Sequence, residues 1–206
     1  MSSPVYSSPA FCYVRPADLN DVPQLAGVLA KSFYPPLGWQ RWLHPILRFG
    51  IHEDIKQRLQ SAQPHYRCFV AISPGVTTRQ DQVVGTVEIS CRRYRLWNFN
   101  QPQQVYLSNL AVREDWRRQG VAHQLLAASE QQATDWGFQE LYLHVMADNG
   151  RALRLYEKMG YQMMQVETTI LSLLNAQPQC LLLKKGLSLH PPSNRVQTLS
   201  PERSPS

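Results

Sequence analysis

The residues VYLSNLAV at positions 105–112, followed by RRQGVA at positions 117–122, decide the fold of this chain. The first run is apolar and typical of a strand, whereas the second is basic and opens a helix at Gly120. First-turn N–H groups of a helix lack intrahelical partners, and glycine lets a ligand approach the backbone closely. Arg117 and Arg118 add cationic donors that suit phosphate. The pattern predicts a site for a phosphate-bearing cofactor, and the alternative is a plain helix start without a ligand.

The next segment supplies a second strand and a second helix. Residues 141–146 read LYLHVM, an apolar strand, and residues 151–159 read RALRLYEKM, a short helix. Asn149 is a good N-cap, and Gly160 is a good C-terminal stop. Tyr156 lies two helical turns after Asn149, so both residues share one face. The chain around Gly120 has neither the three spaced glycines of a dinucleotide fingerprint nor the Gly-Lys-Ser/Thr of a P-loop.

These two segments resemble the GCN5-related N-acetyltransferase (GNAT) family. The acetyl-CoA motif of that family, Gln/Arg-x-x-Gly-x-Gly/Ala, is matched by Arg117, Gly120 and Ala122. The second motif, Asn-x-x-Ala-x-x-Leu-Tyr-x-x-x-Gly-Phe/Tyr, is matched by Asn149, Ala152, Leu155, Tyr156, Gly160 and Tyr161. The resemblance covers residues 105–166. Residues 32–36 and 64–66 are similar to a cyanobacterial and plastid branch, and the chain also resembles RimI- and NatE-type protein N-acetyltransferases.

The resemblance implies that acetyl-CoA is the co-substrate and that no metal is needed. In the family, the strand ending at Val112 and the strand bearing His144 splay apart, and acetyl-CoA inserts between them. Main chain near residues 110–112 would bond pantetheine and polarise the acetyl carbonyl, so side-chain changes there should have little effect. The implied cofactor-binding residues are Leu110, Ala111, Val112, Arg117, Arg118, Gln119, Gly120, Val121, Ala122, Asn149 and Tyr156.

Three side chains are candidates for catalysis. The resemblance implies that Tyr156 is the general acid for the coenzyme A thiolate, and the alternative is a core aromatic. Strand alternation places His144 on one face with Tyr142 and Met146, and an imidazole takes a proton near neutral pH. His144 is therefore the candidate base, and Tyr106 matches a tyrosine that assists the base in NatE-type enzymes. The alternative for His144 and Tyr106 is a structural role.

The base and the acceptor both have rival interpretations. Glu88 is the rival base, although a glutamate on a strand usually lies on a solvated face. The acceptor is expected to be a primary amine, most simply a protein N-terminal α-amine, a lysine ε-amine or both. A small-molecule amine and a non-catalytic acetyl-CoA-binding regulatory module are the alternatives. The acceptor pocket would be built by residues 39–51 and 171–179, which hold no acidic cluster that would favour polyamines.

Composition limits the number of domains and the kinds of partner that the chain can have. The chain has 206 residues, 43% of them hydrophobic, which fits one domain, and its net charge of +6 favours a polyanionic partner. No RNA-binding motif accompanies that charge, so no specific nucleic-acid partner is expected. The four cysteines have no Cys-x-x-Cys spacing and are expected to be free, mostly buried thiols. We expect a cytoplasmic monomer or weak dimer with no membrane partner, since residues 1–10 lack the pattern of a secretory signal and no stretch is long enough to span a bilayer.

The element order predicted along the chain is β-α-α-β-β-β-α-β-α-β-β. This order predicts a single α/β domain of the GNAT type, with a mixed, mostly antiparallel sheet of about seven strands flanked by helices. We expect the domain to span residues 11–187, after a flexible N-terminus at 1–10 and before a disordered tail at 188–206. The helix that follows Gly120 is expected to bury Ala122, Leu125, Leu126, Ser129 and Ala133.

Overall fold

The computed structural model describes residues 11–33, 44–61, 63–75, 81–92, 103–167 and 179–188. In these ranges the strands are β1 (Tyr13–Pro16), β2 (Tyr66–Ser73), β3 (Gln82–Arg92), β4 (Gln104–Val112), β5 (Glu140–Met146), β6 (Gln162–Glu167) and β7 (Cys180–Gly186). The α-helices are α1 (Val22–Phe33), α2 (His44–Gln60), α3 (Val121–Asp135) and α4 (Gly150–Lys158). The predicted N-terminus at 1–10, nearly all of the predicted tail at 188–206, and most of the predicted acceptor segments lie outside the described residues.

The seven described strands form one mixed sheet, as predicted. Their spatial order is β1-β2-β3-β4-β5-β7-β6, and every neighbouring pair is antiparallel except β4 and β5. The parallel pair follows from the chain order, because α3 carries the chain back across the sheet between these two strands. The observed element order confirms the predicted one and the predicted fold class.

The sequence pattern alone predicts the second helix over residues 53–59, but helix α2 already begins at His44. Periodicity reveals only its second half, where Ile55 is buried among the side chains of α1 and β2. Arg48 ties the first half to α1, because its Nη2 donates to the carbonyl of Pro23 at 3.2 Å. Tertiary packing on α1 therefore sets the length of this helix, and its own apolar stripe does not.

The two faces of the sheet carry separate cores. The larger core packs against α3 and α4, and the smaller one packs against α1 and α2. The buried stripe of α3 is the predicted one except at Ala122, which is half-buried; the buried residues are Val121, Leu125, Leu126, Ser129 and Ala133. Alternation along each strand sends successive side chains to opposite faces, and the face opposite the larger core also carries a separate small cluster of Tyr106, Tyr142 and Leu182.

Polar contacts fix the ends of these elements. Asn149 caps α4, as predicted, by accepting the N–H of Ala152 at 3.2 Å, and Gly160 ends the helix region with φ of 85°. At the start of the domain, Asp21 is 6% exposed and accepts two hydrogen bonds from Arg15, at 2.7 and 2.8 Å. That bidentate pair anchors β1 to the first helical turns.

Candidate active site

The strands β4 and β5 separate at the middle of the sheet. Among the described residues, their pairing is confined to residues 105–107 against residues 141–143. Beyond this point β4 keeps its pairing with β3, and β5 keeps its pairing with β7. We call the gap between residues 108–112 of β4 and residues 144–146 of β5 the fork. The fork lies where the family resemblance implies that these strands splay apart.

A β-bulge marks the point where β4 leaves β5. Thr86 pairs with Ala111 and Glu88 pairs with Ser108, so two residues of β4 stand opposite one residue of β3. Asn109 lies in the bulge with φ of 54°, a left-handed conformation that asparagine tolerates better than most residues. A bulge bends its strand and increases the local twist, and it therefore directs β4 away from β5.

The far half of β4 presents backbone groups to the fork. The N–H of Arg113 donates to the carbonyl of Val84 on β3 at 2.9 Å. Because backbone groups alternate along a strand, Val112 directs its N–H and carbonyl to the opposite side, toward the fork. The Nε of Arg117 reaches that carbonyl at 3.3 Å. The fork thus offers a strand edge that an extended ligand can pair with.

The turn at residues 117–120 leads from this edge into α3. Arg118 and Gly120 both have positive φ, 64° and 79°, and Gly120 is the N-cap residue of α3. No side chain caps α3, so its first N–H groups are available to an anion. A Cβ at Gly120 would meet no atom within 4 Å, hence the positive φ is what favours glycine there.

The side chains of this turn are exposed and basic. Arg117 is paired only loosely with Glu114, at 3.8 Å between Nη1 and Oε1. Gln119 donates from Nε2 to the carbonyl of Asp115 at 2.9 Å, and its side chain thereby folds back over the turn. A strand edge beside an uncapped, basic helix start fits a ligand with an extended amide arm and a phosphate group. The predicted cofactor-binding residues from Leu110 to Ala122 lie along this strand edge and the turn that follows it.

Tyr156 lies on the face of the sheet that packs against α3 and α4. It is 8% exposed, belongs to the larger core, and its ring contacts that of Tyr161 edge-on, with centroids 5.7 Å apart. Burial raises the pKa of the Tyr156 phenol to about 12. The phenol therefore keeps its proton at neutral pH and remains a donor.

Tyr106 and His144 lie on the opposite face of the sheet, on β4 and β5. Their rings are stacked, with centroids 5.7 Å apart and planes 4° from parallel. Tyr106 is buried and its hydroxyl donates to Oε1 of Gln104 at 2.9 Å, whereas His144 is exposed. The fold thus brings these two candidates together beside the fork, while Tyr156 belongs to the core on the other face of the sheet.

Tyr142 is a neighbour of this pair that sequence reasoning placed on the same face without giving it a role. Its ring lies 5.6 Å from that of Tyr106, and its hydroxyl donates to the carboxylate of Glu140. Burial and the bond to Glu140 raise the pKa of the Tyr142 phenol above its ordinary value. The phenol of Tyr142 therefore stays protonated. Its ring packs against that of Tyr106 at the position where β4 and β5 are still paired.

The expectation that Glu88 lies on a solvated face is wrong. Its side chain is 2% exposed, and its carboxylate accepts from Arg58 at 2.6 Å and from Asn109 at 2.8 Å. Strand alternation places Glu88 beside Cys68 of β2 and Ser108 of β4, on the face that α2 covers. Sequence reasoning missed this because both donors lie more than twenty positions away along the chain.

Three further features of the described residues concern disulfides, metal sites and membrane-spanning helices. Cys12 and Cys68 are buried, while Cys91 and Cys180 are half-buried, and none of these four described cysteines forms a disulfide. In the described ranges, no three His, Cys, Asp or Glu side chains are grouped in a way that could hold a metal ion. None of the described helices has the length and apolar character needed to cross a membrane.

Comparison with known proteins gives a consistent family signal. A family model for the acetyltransferase (GNAT) family matches residues 36–161. The chain is 36% identical over 86 residues to GCN5-related N-acetyltransferase 7, chloroplastic, of Arabidopsis thaliana, covering 42% of this chain and 31% of that protein. It is 28% identical over 179 residues to GCN5-related N-acetyltransferase 5, chloroplastic, of the same plant, covering 80% of this chain and 54% of that protein. The chain therefore spans about a third and about half of these curated relatives.

Solved structures share the fold at low sequence identity. Arabidopsis thaliana NAA60 in complex with acetyl-CoA aligns with a TM-score of 0.63 at 17% identity, covering 85% of this chain and 98% of that one. A chain of the NatC complex, bound to Gag peptide and CoA, aligns with a TM-score of 0.58 at 18% identity, covering 86% and 99%. At these identities the likeness concerns the fold alone.

Proposed function

The chain belongs to the GNAT acetyltransferase family, and from this premise we propose that it is an N-acetyltransferase that uses acetyl-CoA and that its acceptor is a protein or peptide amine. The amine is an N-terminal α-amine, a lysine ε-amine or both. The observation that carries the proposal is the stacked pair of Tyr106 and His144 beside the fork. An exposed imidazole held against a buried phenol is suited to take a proton from an amine that arrives from solvent.

In this proposal, one face of the sheet removes a proton from the amine and the other face supplies a proton to the leaving thiolate. Acetyl-CoA supplies the acetyl group and a thiolate as leaving group. His144 takes the proton of the amine on the face that it shares with Tyr106, so that the nitrogen attacks as a neutral nucleophile. Tyr156 donates its phenolic proton from the opposite face, which its raised pKa permits because the proton is still present at neutral pH. Backbone groups of β4 at the fork hold and polarise the carbonyl.

Two comparisons support a macromolecular acceptor. The NatC chain that shares the fold is described in complex with a peptide. A relative from Saccharolobus solfataricus, 33% identical over 78 residues, is named as an N-alpha-acetyltransferase, and this chain covers 47% of it. These likenesses favour a peptide amine over a small amine, and the acceptor panel below decides between them.

We also propose a reducing compartment, the cytoplasm, as the location. Four described cysteines that form no disulfide, two of them buried, support a setting in which cysteines stay reduced. Fractionation of the source cells followed by immunoblotting tests this location.

The experiment is acetyl-CoA turnover against a matched acceptor panel. The panel contains peptides with a free N-terminus and no lysine, the same peptides N-terminally blocked with one lysine, and free amino acids and polyamines. We expect turnover on one or both peptide sets and much less on the small amines. Turnover on small amines alone would refute the protein acceptor, and acetyl-CoA binding without turnover on any amine would indicate a regulatory module.

The pH profile tests the base in the same assay. With His144 as the base, kcat/KM rises with pH around the ordinary pKa of a histidine, about 6.5. His144→Ala should remove that rising limb and slow the reaction. A His144→Ala enzyme that keeps the wild-type profile would exclude this role.

A further inference from the structure

Glu88 lies at the centre of a buried polar cluster that the chemistry above does not use. Its Oε2 accepts from Nη1 of Arg58 at 2.6 Å, and its Oε1 accepts from Nδ2 of Asn109 at 2.8 Å. The two donors bind different oxygens and come from different elements, α2 and β4. The carboxylate is only 2% exposed, so these contacts replace the water that burial removed.

The contact with Asn109 bears on the shape of the fork. Asn109 is the bulge residue with φ of 54°, and the next residue, Leu110, begins the segment of β4 that continues along the fork. Glu88 projects from β3, the strand to which β4 stays paired. The hydrogen bond between them therefore fixes the bulge relative to its neighbouring strand, at the position where β4 turns away from β5.

The contact with Arg58 extends the same link to α2. The guanidinium of Arg58 also binds Asp54 one turn earlier on the helix, with Nε and Oδ1 3.2 Å apart. Arg58 is thus held by two carboxylates and has little freedom to leave Glu88. Through this pair, α2 is joined to the bulge of β4 by one continuous polar network.

We propose that Glu88 is a positioning residue that holds the bulge at Asn109 against β3 and α2 and so keeps the fork in the shape that receives acetyl-CoA. The inference rests on the use of acetyl-CoA and is independent of the acceptor proposed above. It accounts for a buried, fully paired carboxylate one strand away from the site.

The surroundings of Glu88 favour this role over that of a base. The carboxylate is only 2% exposed and each of its oxygens already accepts a hydrogen bond, so an amine that arrives from solvent has little access to it. Tyr66 and Cys68 face the carboxylate from β2, and burial together with the charge of Glu88 raises the pKa of both side chains. Both therefore stay protonated at neutral pH, and neither acts as a base in place of Glu88.

The test measures the dissociation constant of acetyl-CoA by isothermal titration calorimetry on E88Q, N109G and the double variant. Glycine retains the left-handed φ at position 109, so N109G isolates the loss of the hydrogen bond from backbone strain. Each single variant should raise Kd roughly threefold to tenfold, because a hydrogen bond to a charged group is lost. The double variant should be less than additive, since either change alone breaks the same link.

The matched control is D21N. Asp21 is also a buried carboxylate bound by an arginine, but its partner Arg15 is on β1, three strands away from β4 in the sheet. D21N should lower the melting temperature and leave Kd unchanged. If E88Q does not fold, the Kd of acetyl-CoA in N109G, compared with that in D21N, still tests the proposal.

Three results would overturn the inference. The first is wild-type Kd in N109G and in folded E88Q. The second is an equal rise of Kd in D21N, which would make the effect a general result of lost stability. The third is an E88Q enzyme with wild-type Kd that has lost the rising limb of its pH profile, which would make Glu88 the base.

Discussion

Gly85 is the position where one added methyl group should disturb both stability and cofactor binding. It lies on β3 opposite Val112 of β4 and beneath the first turns of α3. A Cβ built on it would lie 3.1 Å from the carbonyl oxygen of Ala111, from Cδ1 of Leu125 and from Cγ1 of Val121. Gly85→Ala should therefore push the start of α3 away from the edge of β4.

The size of the effect follows from these three contacts. Each must lengthen by about 0.3–0.5 Å to reach ordinary van der Waals separation, and one of them is a backbone carbonyl that cannot rotate away. Overpacking of this kind costs about 1–3 kcal/mol, and alanine recovers up to about 1 kcal/mol through the unfolded chain. The net loss of about 1–2 kcal/mol corresponds to roughly 2–8 °C in Tm for a domain of this size.

The assay combines thermal unfolding with calorimetric titration of acetyl-CoA. Gly85→Ala should lower Tm and raise Kd at least threefold, since the displaced turn is the one expected to bind the phosphates. Gly50→Ala is the control: it lies in α2 with nothing within 4 Å of its Cβ position, and it should stabilise the protein slightly. A Gly85→Ala protein with wild-type Tm and Kd would refute the reasoning.

Three further predictions concern the site and its surroundings. Tyr156→Phe should lower kcat by roughly 10²–10⁴ with little change in the Kd of acetyl-CoA, because the ring remains and the proton is lost; steady-state kinetics and calorimetry measure both. Gly120→Val should abolish the thermal shift that acetyl-CoA gives the wild type, because a β-branched residue does not adopt φ of 79° without strain. Burial raises the pKa of the Cys68 thiol from 9.0 to about 12. The unfolding free energy should therefore fall as pH rises above 9, by up to about 1.4 kcal/mol per pH unit. Cys68→Ala should remove that part of the pH dependence, which urea titrations at pH 8 and pH 10 measure.

Each of these predictions has an outcome that contradicts it. Unchanged kcat in Tyr156→Phe would mean that another donor or water protonates the thiolate. A wild-type thermal shift in Gly120→Val would remove the turn from the cofactor site. Equal alkaline slopes in Cys68→Ala and the wild type would show that the thiol does not contribute. The sign for Cys68 is fixed because the unfolded thiol loses its proton first, so the unfolded state binds fewer protons between the two pKa values.

The sequence predicted the parts of the site that depend on local pattern. Asn149 and Gly160 were recognisable as helix ends because capping needs particular residue types at particular places. The element order followed from alternation and spacing, and the separation of β4 from β5 was implied by the family resemblance alone. His144 could be placed on one face with Tyr142 because strand periodicity is strict, and the rings of both residues indeed lie beside that of Tyr106.

Features that depend on distant partners were not predictable. The burial of Glu88 requires Arg58 from α2 and Asn109 from β4, and no spacing rule connects those positions. The bulge at Asn109 depends on how two strands register, which a single sequence does not reveal. The start of α2 was missed because its packing on α1, and not its own periodicity, makes it helical.

The short pairing between β4 and β5 has a consequence for hydrogen exchange. Amide protons at the centre of a sheet are normally among the slowest in a protein to exchange with solvent, since global opening must release them. The N–H of Val112 lies at the centre of this sheet but faces the fork, so it should exchange quickly while the N–H of Arg113, bonded to Val84, exchanges slowly. A ligand that pairs with this strand edge should slow the exchange of the Val112 amide and leave that of Arg113 unchanged. The two adjacent amides therefore report ligand binding at the fork, with Arg113 as the internal reference.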